Sequence, residues 1–294
     1  MVDYITKGIL RITEGEHAGM WKTSYQFGDW LDPAAPPNSP QQGTDPIFVA
    51  DTWLCRITNT IAKIAAVLQK NDAEDWSLKA STQLSKWQNR YLLPIGPPES
   101  NTEPPALILQ DTQTAYSLAL NFHLLPEEYI EPAIARLHHL VRERDYHPTT
   151  GIAGSPEILH AVTYPRTISS STLEAKLKSV ALAYKLLLGR RDSPSWLYPI
   201  TMGATSIWER WDSIFPNGTT NADWMTSLNH YALGSVGRWI FENIGGITIN
   251  HNYNINPNHT EGWKVIFDPI PNLEHGITSS EMKFDSPKGR VECK

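Results

Sequence analysis

One carboxylate, Glu209, lies between two tryptophans in the stretch GATSIWERWDS at residues 203–213. Trp208 directly precedes it, and Trp211 follows two positions later. Indole rings beside a carboxylate exclude water, whereas an ordinary surface glutamate is freely solvated. A carboxylate in such surroundings is suited to general acid–base catalysis. The plainer alternatives are an exposed helix residue or an ion pair with Arg210.

Two further stretches combine aromatic and polar side chains in the same way. FGDWLDP contains Asp29 and Trp30, and SLNHYALGSVGRWI contains Asn229 and His230 at a predicted helix start. Indole rings stack on the apolar faces of sugars, and an imidazole can bind a ring hydroxyl. The three stretches together indicate a carbohydrate site. Two roles are equally open for Asp29, which would either bind a sugar hydroxyl or hold the loop by capping backbone N–H groups.

Composition favours a carbohydrate ligand and excludes other partners. The 294 residues contain 11 tryptophans against 7 phenylalanines, although a core that happens to use tryptophan would explain this excess equally well. The net charge is −6, and no basic run could neutralise phosphates, so no nucleic-acid partner is expected. No stretch approaches the roughly 18 apolar residues of a membrane span, so no membrane partner is expected either.

The chain offers no pattern for a metal or another cofactor. The two cysteines, Cys55 and Cys293, lie at opposite ends of the sequence and predict neither a disulfide scaffold nor a metal cluster. His138 and His139 are consecutive on a predicted helix and point to different faces, so they form a poor metal site. We therefore expect no cofactor. The N-terminal sequence also lacks the pattern of a signal peptide, and the localisation is left open.

Apolar residues with helical periodicity predict the elements that must position these side chains. Starts and stops are marked by capping residues, glycine and proline. The predicted helices cover the end of a helix at 1–13, 46–70, 73–92, 111–125 with Asp111 as its N-cap, 126–145, segments near 156–163 and 172–189, a short helix around 204–213, and 229–243.

The pattern changes after about residue 245. The segments 262–271, 277–284 and 289–294 alternate between apolar and polar residues with turns between them, which predicts β-strands. We therefore predict a helical domain over residues 1–247 and a second, β-rich domain over residues 248–294.

Five separated motifs resemble the α-L-rhamnosidase catalytic domain, a family of inverting glycosidases with an (α/α)6 six-hairpin toroid. In chain order they are GDWL, DTQTAYSLAL, TTGIAGSPEILHA, PSWLYPITMGATSIWERWDS and NHYALGSVGRWI. The C-terminal stretch that starts at GWKVIFDPIP resembles the start of the family's β-sandwich. The resemblance implies a mainly α fold, with an incomplete (α/α)6 toroid over 1–247 and the beginning of a C-terminal β-sandwich over 248–294.

The resemblance also implies roles for individual residues. Glu209 matches the general base, which activates water on the face of the sugar opposite the leaving group. His230 and Trp30 match residues that contact the sugar, and these three side chains are expected to converge at one mouth of the toroid. The substrate would be a rhamnoside or another rhamnose-containing carbohydrate. The residues expected to pack around the site are Trp196, Trp208, Trp211 and Asn229.

One family feature is missing from the sequence. The family carries its general acid in an acidic motif well upstream of GDW, and nothing here matches that motif. We therefore expect a family member truncated at both ends. A non-catalytic, sugar-binding six-hairpin protein is the main alternative. A helical scaffold for other proteins gives no reason for tryptophans in loops rich in glycine and proline. The sequence does not identify the natural rhamnoside or its linkage.

Overall fold

The structure is a computed structural model. It describes residues 19–21, 25–35, 39–40, 43–96, 103–222, 226–249, 265–270, 272–286 and 289–294. The helix end predicted at 1–13 lies outside the described residues. The chain divides into two compact units, Met1–Tyr164 and Pro165–Lys294. The domain division at 247/248 stays a prediction.

The first unit is helical. Its first helix follows directly after Asp45, whose carboxylate accepts a hydrogen bond from the N–H of Ile47 at 2.7 Å, and proline occupies the first helical position, where its missing N–H costs nothing. The helices of this unit are α1 (Pro46–Val67), α2 (Ala73–Tyr91), α3 (Gln113–Asn121), α4 (Glu127–Glu143) and α5 (Ile158–Val162).

Helices α1 and α2 pack through a buried aromatic cluster. The rings of Phe48 and Tyr91 meet edge to face at 4.9 Å, and Trp87 lies 5.7 Å from Tyr91. Within this cluster the fully buried carboxylate of Asp51 accepts hydrogen bonds from the Tyr91 hydroxyl at 2.6 Å and from the N–H of Trp21 at 2.8 Å. These bonds offset the desolvation of a buried charge and tie the segment around Trp21 to the helix pair.

The second unit combines helices with two small antiparallel sheets. Strand β1 pairs with β2, with Ile247 opposite Phe267, and β3 pairs with β4, with Met282 opposite Cys293. The helical elements are α6 (Leu173–Leu188), α7 (Leu197–Thr201), a 3₁₀ turn (Ala232–Ser235), α8 (Val236–Trp239) and a π-helical turn (Ile240–Ile244); the strands are β1 (Ile247–Ile249), β2 (Val265–Phe267), β3 (Met282–Ser286) and β4 (Gly289–Cys293). The fold is thus mainly α with a few C-terminal strands, as predicted.

The helix predicted around 204–213 is wrong. Helix α7 ends at Thr201, and Gly203 adopts a positive φ of 80°, which turns the chain out of the helix. The N–H of Glu209 then donates to the carbonyl of Ser227 at 2.9 Å instead of to a carbonyl four residues earlier. The tryptophans around Glu209 therefore lie on a turn-rich segment whose hydrogen bonds are non-local.

The predicted N-cap Asp111 is also wrong, by one residue. Thr112 caps α3, because its hydroxyl accepts from the N–H of Ala115 at 3.1 Å. Asp111 instead accepts hydrogen bonds from the Tyr116 hydroxyl at 3.0 Å and from the guanidinium of Arg136. Within the described residues, no helix has the length and apolar character that a membrane span requires.

Candidate functional site

Two of the chemically suggestive stretches lie side by side in the second unit. The N–H of Glu209 donates to the carbonyl of Ser227, and the N–H of His230 donates to the carbonyl of Ile207 at 2.8 Å. The N–H of Asn229 donates to the Ser227 hydroxyl at 3.2 Å, which shapes the turn between them. Backbone pairing between 207–209 and 227–230 thus brings Glu209, Asn229 and His230 together.

The Glu209 carboxylate is buried and oriented. The residue is 7% exposed, and its Oε2 accepts a hydrogen bond from the N–H of Ser227 at 2.9 Å. Its Oε1 lies 4.0 Å from Nε2 of His230. The guanidinium of Arg210 donates to Asp212, with Nε 2.9 Å from Oδ1. Glu209 is therefore neither an exposed helix residue nor the carboxylate that Arg210 engages.

The imidazole of His230 is fixed in one tautomer. Its Nδ1 accepts a hydrogen bond from the N–H of Ala232 at 3.2 Å, so the proton of the neutral ring is on Nε2. Nε2 is the nitrogen that faces Glu209. The ring of Tyr231 also restrains the imidazole, because it stacks on it with centroids 5.0 Å apart and planes 14° apart. His230 thus presents an N–H donor beside a carboxylate oxygen.

Three tryptophans of the second unit, Trp196, Trp208 and Trp211, pack against neighbouring aromatic rings and backbone. Trp208 and Trp211 are buried, and they meet the rings of Tyr198 and Trp196 edge to face at 6.3 and 5.1 Å. The indole N–H of Trp196 donates to the carbonyl of Leu233 at 3.1 Å. These contacts hold the segment that carries Glu209, and the packing roles of the three residues at a sugar site stay a prediction.

Asp29 lies in the first unit and holds two loops together. Its Oδ1 accepts from the N–H groups of Ala153 at 2.9 Å and Gly154 at 2.8 Å, and its Oδ2 accepts from the N–H of Gly151 at 2.8 Å and from the Thr114 hydroxyl. Burial raises the pKa of Asp29, and these four hydrogen bonds oppose the shift. The geometry supports the loop-capping role, and direct sugar contact by Asp29 stays a prediction.

Trp30 lies at the same contact between the loop around Asp29 and residues 151–154, which we call the junction. Its carbonyl accepts from the N–H of Ile152 at 2.8 Å, and its side chain is 6% exposed. Gly151 makes this approach possible, since a Cβ at that position would lie 2.3 Å from the Trp30 carbonyl oxygen. Sequence reasoning missed the role of the TTGIAGSP segment as the anchor of this loop, although its two glycines were a signal of close backbone approach.

Asp32, three residues after Asp29, gives a pH-dependence that can be tested. Burial, together with the negative charge of Asp29, raises the pKa of Asp32 from 3.8 to about 7. Between these values the folded chain keeps a proton that the unfolded chain has lost, so stability falls as the pH rises through this window. We expect Asp32→Asn to remove a penalty of up to about 4 kcal/mol at pH 8 and to change little at pH 4.

The check is the melting temperature of both proteins at pH 4, 6 and 8. The variant should melt higher than the wild type at pH 8, and the gap should close towards pH 4. Asp75→Asn, which changes an exposed carboxylate on α2, is the matched control and should follow the wild type. A gap that is the same at all three pH values would contradict the assignment.

Within the part of the chain that the structure describes, no three His, Cys, Asp or Glu side chains are placed to hold a metal ion. The described residues of the second unit contain a chemically capable set of groups. It consists of one buried carboxylate, one oriented N–H donor and a shell of indoles, which is suited to proton transfer from a water molecule.

Comparison with known protein families gives a match over most of the chain. Residues 1–244 match the model of the bacterial alpha-L-rhamnosidase 6 hairpin glycosidase domain. An alpha-L-rhamnosidase of Streptomyces avermitilis is 32% identical over 97% of this chain, and one of Formosa agariphila is 33% identical over 90%. The chain spans about a quarter of the length of these curated relatives, 24% and 25% respectively.

Solved structures of α-L-rhamnosidases superpose on this chain. A native rhamnosidase of Aspergillus terreus superposes with a TM-score of 0.79 at 30% identity, covering 99% of this chain and 30% of that one. The Streptomyces avermitilis alpha-L-rhamnosidase complexed with L-rhamnose superposes with a TM-score of 0.74 at 29% identity, covering 98% and 24%. These matches confirm the predicted six-hairpin fold class.

Proposed function

The chain belongs to the bacterial α-L-rhamnosidase six-hairpin glycosidase family, and on this premise we propose that it hydrolyses terminal α-L-rhamnosyl groups with Glu209 as the general base. The observation that carries the proposal is the buried Glu209 carboxylate, which is anchored by the N–H of Ser227 and faces the Nε2–H of His230. The relatives are named α-L-rhamnosidases, and one solved relative is complexed with L-rhamnose, which supports this choice of sugar.

The proposed step is an inverting displacement by water. Glu209 accepts a proton from a water molecule, the water oxygen bonds to the anomeric carbon, and the bond from that carbon to the leaving oxygen breaks. Because Ser227 anchors Oε2, Oε1 is the oxygen proposed to take the proton. The leaving oxygen needs a proton from a general acid, and the proposal assigns no residue to that role. The product would be rhamnose of inverted anomeric configuration.

His230 is proposed to bind the sugar, and a sugar contact of Trp30 in the first unit is a separate proposal. The 4.0 Å gap between Nε2 of His230 and Oε1 of Glu209 is too long for a direct hydrogen bond, so His230 can direct its N–H at a sugar hydroxyl instead. The indole face of Trp30 suits the apolar C6 methyl of a deoxy sugar. Asp29 is proposed to act mainly by holding the Trp30 loop.

The binding proposal is tested by titrating L-rhamnose into the protein in a calorimeter. His230→Ala should weaken binding about three- to tenfold, which is the value of one hydrogen bond to a sugar hydroxyl. His139→Ala is the matched control, because His139 is also partly exposed but faces Glu103 at 3.2 Å in the first unit. Equal affinity of the His230 variant and the wild type would contradict the proposed role of His230. No binding by the wild type would contradict the proposal that the sugar is rhamnose.

A second measurement distinguishes a hydrolase from a protein that only binds the sugar. An inverting hydrolase releases the anomer opposite to that of its substrate, and proton NMR reads this configuration in the first minutes of a reaction. Binding of rhamnose without any release from an α-L-rhamnoside would favour the non-catalytic alternative.

A further inference from the structure

A tight turn of the second unit lies between Ile214 and Thr220, which form an antiparallel bridge at its base. The N–H of Gly218 donates to the carbonyl of Phe215 at 2.8 Å, and Gly218 adopts a positive φ of 82°. Residues 215–220 are all exposed. The tip of the turn is therefore open to solvent, although its backbone is held in one conformation.

The tip carries Asn217-Gly218, the only asparagine–glycine pair in the sequence. In such a pair the backbone nitrogen of the glycine can attack Cγ of the asparagine side chain, because glycine has no Cβ to obstruct the approach. The attack closes a five-membered succinimide ring, in which a bond forms between the backbone nitrogen and Cγ. The bond from Cγ to the amide nitrogen breaks. That nitrogen takes up the proton of the backbone N–H and leaves as ammonia.

Thr219 activates the Asn217 side chain for this attack. Oδ1 of Asn217 accepts two hydrogen bonds, from the N–H of Thr219 at 3.0 Å and from its hydroxyl at 2.7 Å. Both donors draw electron density away from Cγ. Both also stabilise the negative charge that develops on Oδ1 when the backbone nitrogen adds, as the donors of an oxyanion hole do. The electrophile is thus already polarised in the folded chain.

One hydrogen bond opposes the reaction. The N–H of Gly218 is engaged with the carbonyl of Phe215, and its proton must pass to a base before the nitrogen can attack. Because the turn is exposed, opening of this single bond brings the N–H to water without unfolding of the chain. The rate should therefore rise with pH and should not require global unfolding.

We propose that Asn217 deamidates spontaneously in the folded chain, through a succinimide formed with the backbone nitrogen of Gly218 and assisted by Thr219. Water then opens the ring at either of its two carbonyl carbons, which leaves aspartate or isoaspartate at this position. Either product adds one negative charge to the turn, and isoaspartate also adds one methylene to the main chain. The inference needs neither Glu209 nor a sugar, so it goes beyond the proposed function.

The test is to incubate the purified chain in buffer at pH 6 and pH 8 for several days and to map its peptides by mass spectrometry. Deamidation adds one mass unit, and hydroxylamine cleaves the chain at a succinimide. We expect Asn217 to convert at least about tenfold faster than Asn89, since Asn89 is an exposed residue of α2 whose backbone must first leave the helix. The rate at Asn217 should be higher at pH 8.

Three variants isolate the groups that the reaction uses. Gly218→Ala should slow conversion, because its Cβ obstructs the attacking nitrogen. Thr219→Val keeps the branched shape and the backbone donor but removes the hydroxyl, and it should slow conversion about three- to tenfold, the value of one hydrogen bond. Thr220→Val is the matched control and should convert at the wild-type rate, because it removes a neighbouring hydroxyl that is not one of the two donors to Asn217.

The outcomes are separable. Conversion of Asn217 no faster than that of Asn89 would overturn the inference, and so would conversion that occurs in urea but not in buffer. An unchanged rate in Gly218→Ala would overturn the succinimide route. Equal rates in Thr219→Val and Thr220→Val would overturn the assistance by Thr219. None of these results depends on rhamnose binding or hydrolysis, so the proposed function stands or falls separately.

Discussion

Glu209→Gln is expected to lower kcat for 2,4-dinitrophenyl α-L-rhamnoside by about 10²–10⁴-fold, the usual contribution of a positioned general base. This leaving group departs without protonation, so the rate depends on the activation of water and not on a general acid. Glutamine keeps the size of the side chain and can still accept from the N–H of Ser227. The substitution therefore removes the proton acceptor with little change in packing. KM should change much less than kcat.

Two further variants show whether the fall in kcat results from removing the general base. Asp212→Asn changes a carboxylate three residues away that accepts from Arg210 and from the amide of Asn221, and it should keep most of the activity. In Glu209→Ala, added azide should restore turnover and yield a rhamnosyl azide of inverted configuration, because azide is a nucleophile that needs no deprotonation and fits the vacated space. Equal losses in Glu209→Gln and Asp212→Asn, without azide rescue, would contradict the assignment of the base.

The neighbourhood of Glu209 shows what the sequence could and could not predict. The residue types and their order predicted that Glu209 and His230 belong to one site, and backbone pairing between 207–209 and 227–230 joins them. The predicted helix around 204–213 is wrong, although the three-residue spacing of Trp208 and Trp211 is compatible with a helix face. What excludes the helix is pairing with a segment about twenty residues later, which no local pattern reveals.

Asp29 shows the same limit for a functional residue. A carboxylate beside a loop tryptophan is compatible with a sugar ligand and with a loop cap, and the sequence left both open. Its donors, including the N–H groups of Gly151 and Gly154, come from a segment more than 120 residues away. Short-range capping was similarly ambiguous at Asp111 and Thr112, since both residue types cap helices. Thr112 is the cap, and Asp111 accepts from Tyr116 and from the distant Arg136 instead.

The C-terminal strands differ in how far the sequence predicted them. β2 is as short as β1, but it lies within the predicted segment 262–271, whereas β1 directly follows helical turns. β3 and β4 each have five residues, and exposure alternates along all of β3 and from Arg290 onward in β4, so their period-2 pattern is visible in the sequence. β1 has only three residues, Ile247–Ile249, and is defined by its pairing with β2. A strand this short carries too little pattern to be separated from the preceding helical turns.

Asp29→Asn is expected to lower the free energy of unfolding by about 2–4 kcal/mol at pH 7, which corresponds to one or two buried groups left without a partner. A charged carboxylate accepts from all four of its donors, whereas an amide turns an NH₂ group toward one pair of them. Either the N–H groups of Ala153 and Gly154 or the N–H of Gly151 would then face another donor. Urea unfolding measures the loss. Asp32→Asn, in the same loop, should not destabilise the chain at this pH.

The junction can be broken from its other side with Gly151→Ala. The added methyl would lie 2.3 Å from the Trp30 carbonyl oxygen and 2.4 Å from that of Asp29, and both are backbone atoms that cannot rotate away. Because Asp29→Asn and Gly151→Ala disrupt one contact, the double variant should lose clearly less stability than the sum of the single losses. Both variants should also weaken rhamnose binding, since the junction positions Trp30. Wild-type stability of Asp29→Asn would instead mean that Asp29 is protonated in the folded chain, because a neutral acid is the species that an amide replaces without loss.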